Sequence, residues 1–281
     1  MDDLLKGGIA LSEITSVCGP AGVGKSNFSM QICVDCGLGN KWGGAGGRSI
    51  YFDTEGGVGE GRWTELATGL KEHVEKIEKR KKRKKGTIDA ENGNGNGNGN
   101  GNGNGNGNLP TVLSLLSTIH FLRIHTLDSL LQHIYSLPRV IASMNALNPS
   151  SHLKLVVIDS LGYFLRGVEK TSIRHETLLE IMGKLSEIAH KFQVAILLTN
   201  QDVIKFNSGS LDSANGFAGG DAFAGEAFKS ATSTQILLSE GGGVDGKNSD
   251  LKVLSIGKSP RVKEGEREEF VIKESGIRDR A

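Results

Sequence analysis

The sequence predicts an α/β fold, a mainly parallel sheet flanked by helices, with an antiparallel C-terminal extension. Three observations carry that expectation. Up to residue 201, apolar runs of strand length alternate with helix-periodic stretches, the pattern of a parallel sheet covered on both faces. The stretch Gly19-Pro20-Ala21-Gly22-Val23-Gly24-Lys25-Ser26 fits G-x-x-x-x-G-K-[ST] and lies between the first strand run and the first helical run, as a phosphate-binding loop requires. Beyond Gln201 the pattern changes, and strand runs succeed one another with no helix expected between them.

In chain order, strands are expected at Ile14–Cys18, Ser49–Asp53, Ile119–Ile124, Leu155–Asp159 and Val194–Thr199. Amphipathic stretches near Asn27–Cys36, Trp63–Lys79, Leu127–Met144 and His175–Lys191 supply the helices between them, with Gly37 as a C-cap of the first. Residues 203–225 are Gly, Ser, Ala and Asn with little to bury, and three edge strands follow at Ser233–Leu238, Leu251–Ile256 and Glu269–Lys273.

Composition bounds the rest. The chain of 281 residues is 37% hydrophobic and 23% charged, as expected of a soluble globular protein. No apolar run approaches the roughly 18 residues a membrane helix needs, and the start is acidic, so neither a membrane span nor a secretory signal is expected. Three cysteines are too few for a disulfide framework and suit a reducing compartment. Cys33 and Cys36 fall on one helix face and read as core, with no second pair to complete a zinc site. The seven histidines show no catalytic spacing.

The net charge of +1 hides an uneven distribution. Of 33 Lys plus Arg and 32 Asp plus Glu, residues 71–85 hold 9 and 3, which leaves 24 and 29 for the remainder. Lys79 to Lys85 reads KRKKRKK, and Asn92 to Asn108 is strict Asn-Gly alternation holding 8 of the 40 glycines. Such a tract has nothing to bury and a high entropy cost of ordering. Residues 71–110 are therefore read as a disordered insertion on a single domain spanning 1–281. The cationic run is a solvated segment, a nuclear-import signal or an added nucleic-acid contact.

The phosphate loop implies a nucleotide. Its glycines let backbone N–H groups turn inward, the helix N-terminus adds a positive dipole end, and contacts are expected from Gly19 through Asn27. Lys25 is expected to reach the β- and γ-phosphates, and Ser26 to ligate Mg2+ through its hydroxyl. Asp159 closes the apolar strand Leu155-Val156-Val157-Ile158 and is placed to hold the metal through water. A second acidic strand end, Asp53-Thr54-Glu55, offers Glu55 as the base that activates water, with Asp53 structural. Gln201, closing Thr199-Asn200-Gln201, can sense the γ-phosphate. The guanine-reading N-K-x-D is absent where Asn200-Gln201-Asp202-Val203 stands, so a GTPase is disfavoured. A small-molecule kinase fits poorly, because it leaves Glu55 without a role.

Together these motifs resemble the RecA-like strand-exchange recombinases, specifically the eukaryotic DNA-repair recombinase paralogues. The resemblance runs from Leu4-Leu5-Lys6-Gly7-Gly8-Ile9 through the phosphate loop, Phe52-Asp53-Thr54-Glu55-Gly56, Leu155 to Ser160, Thr199-Asn200-Gln201 and Gly257-Lys258-Ser259-Pro260. His120 to Pro138, with its Tyr135-Ser136-Leu137-Pro138 turn, is most similar to the third human-type paralogue branch. What the resemblance implies is a RecA-type P-loop NTPase core that uses ATP and Mg2+ in DNA-dependent hydrolysis. It also implies an accessory role in homologous recombination on single-stranded DNA, in the nucleus, within a hetero-oligomer of recombinase paralogues and with no membrane partner. It places Arg62 near the nucleotide, Arg166, Lys170 and Arg174 in a first DNA loop, residues 202–225 in a second, and Lys258 to Pro260 on a neighbouring subunit's ATP.

Four departures qualify that picture. The family's N-terminal helical domain and joining linker have no counterpart in this sequence, and Ser26 stands for the commoner Thr. Ser230 and Gln235 stand where His and Arg are usual. Residues 202–231 carry Lys205 and Lys229 against Asp202, Asp212, Asp221 and Glu226, a net of −2 that suits phosphate contacts poorly. These favour an accessory role over filament formation. They also leave open a nucleotide-gated interaction module with negligible turnover.

Overall fold

The computed structural model describes residues 4–91, 109–201, 225–241 and 250–279, with backbone alone at 82–91 and 225–227. Its strands are β1 (Ile14–Cys18), β2 (Arg48–Asp53), β3 (Ile119–Arg123), β4 (Leu153–Asp159), β5 (Ala195–Asn200), β6 (Thr234–Glu240), β7 (Leu251–Lys258), β8 (Arg267–Lys273) and β9 (Gly276–Asp279). The helices are α1 (Lys25–Cys36), α2 (Glu60–Glu91), α3 (Val112–Leu116), α4 (Leu127–Leu147), α5 (Gly162–Leu165), α6 (Thr171–Phe192) and α7 (Gly225–Ala231).

All nine strands join one sheet in the order β3-β2-β4-β5-β1-β6-β7-β8-β9. The first six in that order pair in parallel, and β6 through β9 pair antiparallel. The central strands are buried along almost their whole length because both faces are covered, with β4 and β5 the most apolar. On one face Val17, Tyr51, Val157 and Leu197 meet Phe28 and Val34 of α1 and Leu66, Leu70 and Val74 of α2. On the other, Ile50, Phe52, Val156, Ile158, Ile196 and Leu198 meet Leu130, Ile134 and Ile141 of α4 and Ile181, Leu185 and Ile188 of α6. Alternation along each strand thus feeds two cores.

Five sequence expectations are corrected. Residues 71–79 belong to the folded body, since α2 runs on to Glu91 and Val74 is only 1% exposed. The Asn-Gly tract itself lies outside the described residues, as does the 203–224 stretch. The tail does contain a helix, α7, and it has a fourth strand, β9, too short and polar to stand out as Gly276-Ile277-Arg278-Asp279. β6 pairs in parallel with β1, so the antiparallel extension begins only at β7. The expected turn at Tyr135–Pro138 is helix: α4 passes through Pro138, because Ile134, Leu137 and Ile141 are drawn into the core around it. That burial offsets the single hydrogen bond proline cannot donate. Among the described residues, no helix is long and apolar enough to cross a membrane.

The cysteines are core residues. Burial, the first cause in each case, pushes the Cys33 thiol well above its ordinary range and Cys36 up to about 12. From an ordinary value of 9.0, that leaves only about one Cys36 thiolate in ten thousand at pH 8. The native protein is therefore expected to resist iodoacetamide at Cys33 and Cys36 at pH 8 and to label at both once unfolded in urea. Mass spectrometry reads the outcome, and rapid native labelling would show the helix to be open there.

Candidate functional site

The site lies beyond the carboxyl ends of β1, β2, β4 and β5, where parallel sheets commonly place ligands. The phosphate loop leaves β1 and enters α1 through Gly24, whose φ of 106° is left-handed and whose missing Cβ leaves room for the Ile272 methyl. The backbone conformation is what calls for glycine. No side chain caps the α1 N-terminus, so its first-turn N–H groups face the loop. Lys25 is buried at its base, donating from Nζ to Gly19 O at 2.9 Å and Pro20 O at 2.8 Å. Burial lowers its pKa, and the charges of Glu55 and Asp159 oppose that fall. Ser26 sits partly exposed on the first helical turn, and among the described residues nothing hydrogen-bonds its hydroxyl.

Asp159 is held from both sides. Tyr51 Oη donates to its Oδ2, and Thr199 Oγ1 donates to its Oδ1. Burial and the Asp159 charge push the Tyr51 hydroxyl pKa well up, so it stays a donor. The next peptide, Asp159–Ser160, is cis. Thr54 ties this turn to the end of β2: its N donates to Asp159 O at 2.8 Å, and its Oγ1 accepts from Ser160 N at 2.8 Å.

Glu55 stands exposed at the mouth of the loop. Ser160 Oγ donates to its Oε1, and Gln201 Nε2 donates to Oε1 at 3.1 Å and Oε2 at 3.2 Å. The structure therefore brings together Lys25, Glu55, Asp159 and Gln201 from four separate strand ends. Of their supports Tyr51, Thr54, Ser160 and Thr199, none has a spacing that marks it as a site residue. Thr199 comes nearest, as the first member of the Thr199-Asn200-Gln201 triplet.

A second tier fixes the Glu55 turn. Asp53, 1% exposed, accepts from Gly56 N at 2.7 Å and from Arg123 Nη1 at 2.9 Å. Gly56 has φ 83°, and a Cβ there would lie 1.5 Å from Arg123 Nη2, so the guanidinium occupies the space a side chain would fill. Arg123→Ala leaves the buried Asp53 carboxylate short of its charged partner. Urea unfolding is expected to show a loss of about 2–3 kcal/mol, discounted from a fully buried pair because Arg123 is 41% exposed. A change under about 0.5 kcal/mol would remove Arg123 from this role.

The remaining expected contacts are placed less directly. Arg62 Nε donates to Asn27 Oδ1 at 2.8 Å, and its Nη1 and Nη2 donate to Glu274 O and Lys273 O, both at 2.9 Å. It thus clamps α1, α2 and the β8–β9 turn together beside the phosphate loop. Arg166 caps α5 on the rim of the site, close enough that its charge lowers the Lys25 pKa. Arg174 folds back, its Nε and Nη2 donating to Val168 O at 3.2 and 2.7 Å, while Lys170 is exposed at the start of α6. Lys258 Nζ donates to Lys229 O at 2.7 Å and Thr232 O at 2.6 Å, holding the end of α7 within the same chain. Gln235 is buried and donates to Thr232 Oγ1 at 3.2 Å.

The donor set fits a nucleoside triphosphate with Mg2+. An uncapped helix end and a buried ammonium face anionic oxygens, and a lone hydroxyl and one oriented carboxylate suit a cation that keeps most of its waters. Among the described residues no three His, Cys, Asp or Glu converge, so a dedicated all-protein metal cage is not what this site offers.

A phosphate loop on β1, acidic ends on β2 and β4, and an amide on β5 define a RecA-type P-loop NTPase core. The chain belongs to the Rad51 family, whose profile matches residues 1–79 and 114–280. It is 28% identical over 214 residues to the DNA repair protein RAD51 homolog 3 of Dictyostelium discoideum, covering 76% of this chain and 49% of that one. The homolog 3 of Cricetulus griseus is 29% identical over 208 residues, 74% of this chain and 50% of that one. The meiotic recombination protein DMC1 of Saccharomyces cerevisiae is 26% identical, covering 99% of this chain and 69% of its own length. The chain thus spans about half the length of the first two relatives.

Proposed function

We propose that this chain is an ATP-binding, Mg2+-dependent ATPase core of an accessory protein of homologous recombination. It acts in the nucleus on single-stranded DNA, together with other recombinase paralogues, and residues 1–281 form one such unit. The observation that carries this reading is the Glu55 carboxylate held between Gln201 Nε2 and Ser160 Oγ at the mouth of the phosphate loop. A protein that only bound nucleotide would have no use for an oriented base there.

In this reading Lys25 Nζ leaves Gly19 O and Pro20 O for the β- and γ-phosphate oxygens, while the backbone N–H groups from Gly19 through Asn27 bind the phosphates. Ser26 and Asp159 would hold Mg2+, which would supply charge neutralisation at the β- and γ-phosphates. Asp159 is kept in one orientation by Tyr51 and Thr199. Glu55 orients the attacking water and takes up its proton. Gln201 Nε2 donates to Glu55, and a γ-phosphate would compete for that donor. The exchange couples phosphate occupancy to the segment beginning at residue 202. Arg166, Lys170 and Arg174 form the DNA-facing edge, with Arg166 reporting to the nucleotide through its proximity to Lys25.

ATP hydrolysis measured with and without single-stranded DNA, beside a DNA titration at stated salt, tests this. Stimulation by DNA is expected, and absence of turnover in both conditions would overturn it. The net charge of −2 over residues 202–231 favours a second reading, a nucleotide-gated interaction module with weak DNA contact. Partner capture that does not change with ATP would exclude that one.

A further inference from the structure

We propose that the cationic part of α2 is a nucleic-acid contact separate from the nucleotide site, an intact helix that docks along a groove of duplex DNA. The helix is anchored on the sheet by Trp63, Leu66, Ala67, Leu70 and Val74. It continues without a break to Glu91. Residues 79–91 therefore extend it by about 20 Å beyond its last anchored turn. This extension opens with Lys79-Arg80-Lys81-Lys82-Arg83-Lys84-Lys85.

The carboxylates at the root of that segment are already engaged. Glu75 pairs with Lys71 at 3.6 Å, and Glu78 accepts from Trp42 Nε1 at 3.0 Å and pairs with Lys41 at 3.7 Å. The Trp42 hydrogen bond, then the neighbouring lysines, hold Glu78 below the usual carboxylate range, so it stays charged and committed there. Lys79, Arg80 and Lys81 are exposed, and among the described residues no carboxylate lies within ion-pair distance of them, Glu78 feeling Lys81 only through its charge.

The family profile stops at residue 79 and resumes at 114, so the cations lie almost wholly outside what the ATPase core shares with its relatives. Packing does not need them, and the body works against a chance role. Outside 71–85 the chain holds 24 basic and 29 acidic residues, a net of −5, so its overall charge balance does not favour polyanions as this segment does.

Seven adjacent cations in about two helical turns are best matched by a ligand whose own charges are equally dense. Duplex DNA carries one negative charge per roughly 1.7 Å of axis. Its major groove, about 12 Å wide, admits an α-helix with phosphates on both walls, and continuous basic helices are an established way of crossing it. A receptor that reads basic peptides in extended form would have to unwind α2 first, so the helical backbone favours the duplex. The proposal rests on the DNA-facing part of the function above but not on ATP turnover.

The test replaces all seven residues of 79–85 by Gln, which keeps helix propensity and removes the charge. Binding of the whole chain to a random-sequence 30-base-pair duplex and to a single strand of equal length is followed by fluorescence anisotropy across 50–200 mM salt. A fluorescent ATP analogue is titrated in parallel. Duplex affinity is expected to fall at least tenfold at 100 mM salt. The salt slope is expected to fall by about 3 or more, at roughly 0.9 for each phosphate no longer neutralised. Analogue binding stays unchanged, and Lys82→Pro, which breaks the helix while keeping six of the seven cations, binds the duplex alone severalfold more weakly. Duplex affinity and slope within twofold of the unaltered chain would overturn the contact. Equal weakening on single strands, or an innocuous Lys82→Pro, would overturn the helix-in-groove geometry. Loss of nuclear accumulation with duplex binding intact would assign the run to an import receptor instead. An unaltered chain that binds the duplex through this helix but shows no ATP turnover would uphold the contact and overturn only the ATPase reading.

Discussion

Lys25→Ala is expected to weaken ATP binding by about 10- to 100-fold and to remove hydrolysis. The lysine is buried at the base of the phosphate loop, with Nζ already aimed at two loop carbonyls, Gly19 O and Pro20 O. Its ammonium is the only basic group of the loop itself. A charge-assisted hydrogen bond contributes about 1.5–3 kcal/mol, and tenfold in affinity corresponds to about 1.4 kcal/mol. Turnover suffers further, because the same charge faces the oxygens that gain negative charge as the reaction proceeds. Removing one such donor typically costs about another 10²–10³. Calorimetric titration of ATP and a phosphate-release assay give the two numbers. Circular dichroism controls for folding, since Lys25 also braces the loop. A dissociation constant within threefold of the original would mean that the loop is not the phosphate site.

Glu55→Gln separates chemistry from binding. Glutamine keeps one oxygen to accept from Gln201 or Ser160, so the turn around Gly56 is retained and ATP affinity is expected within about threefold. The group that takes the proton is gone, and hydrolysis is expected to fall by about 10²–10⁴. Single-turnover measurements with radiolabelled ATP check this. Hydrolysis unaffected by the substitution would show that Glu55 is not the base. Arg123→Ala acts on the same turn from the other side, through Asp53 and Gly56, so the two changes are expected to be non-additive.

The residues that would act on the nucleotide were legible because each is set by local sequence. The phosphate loop needs its glycines within eight residues of chain, and Glu55, Asp159 and Gln201 each close an apolar run that can only be a buried strand. The residues that hold them were not legible. Tyr51 reaches Asp159 across 108 residues of sequence, and Ser160 reaches Glu55 across 105. Those contacts depend on β2 lying beside β4 with Asp53 opposite Asp159, and no spacing within one segment encodes the order of strands.

The same distinction runs through the fold. Apolar patterning located β1 through β8 to within a few residues, since burial of a strand face is a property of the segment alone. The parallel pairing of β6 with β1 and the β9 strand were decided only by packing, which also carried the expected helix at Leu127–Met144 through Pro138 with no turn there. In each of them the local preference is weak, and the neighbouring element supplies the missing free energy. The uneven charge was visible in the sequence by itself. That the cations ride on a continuation of a core helix, anchored by Val74 one turn before them, was decided by the tertiary structure, because only a helix already fixed on a sheet can carry a self-repelling run of seven like charges forward in helical form.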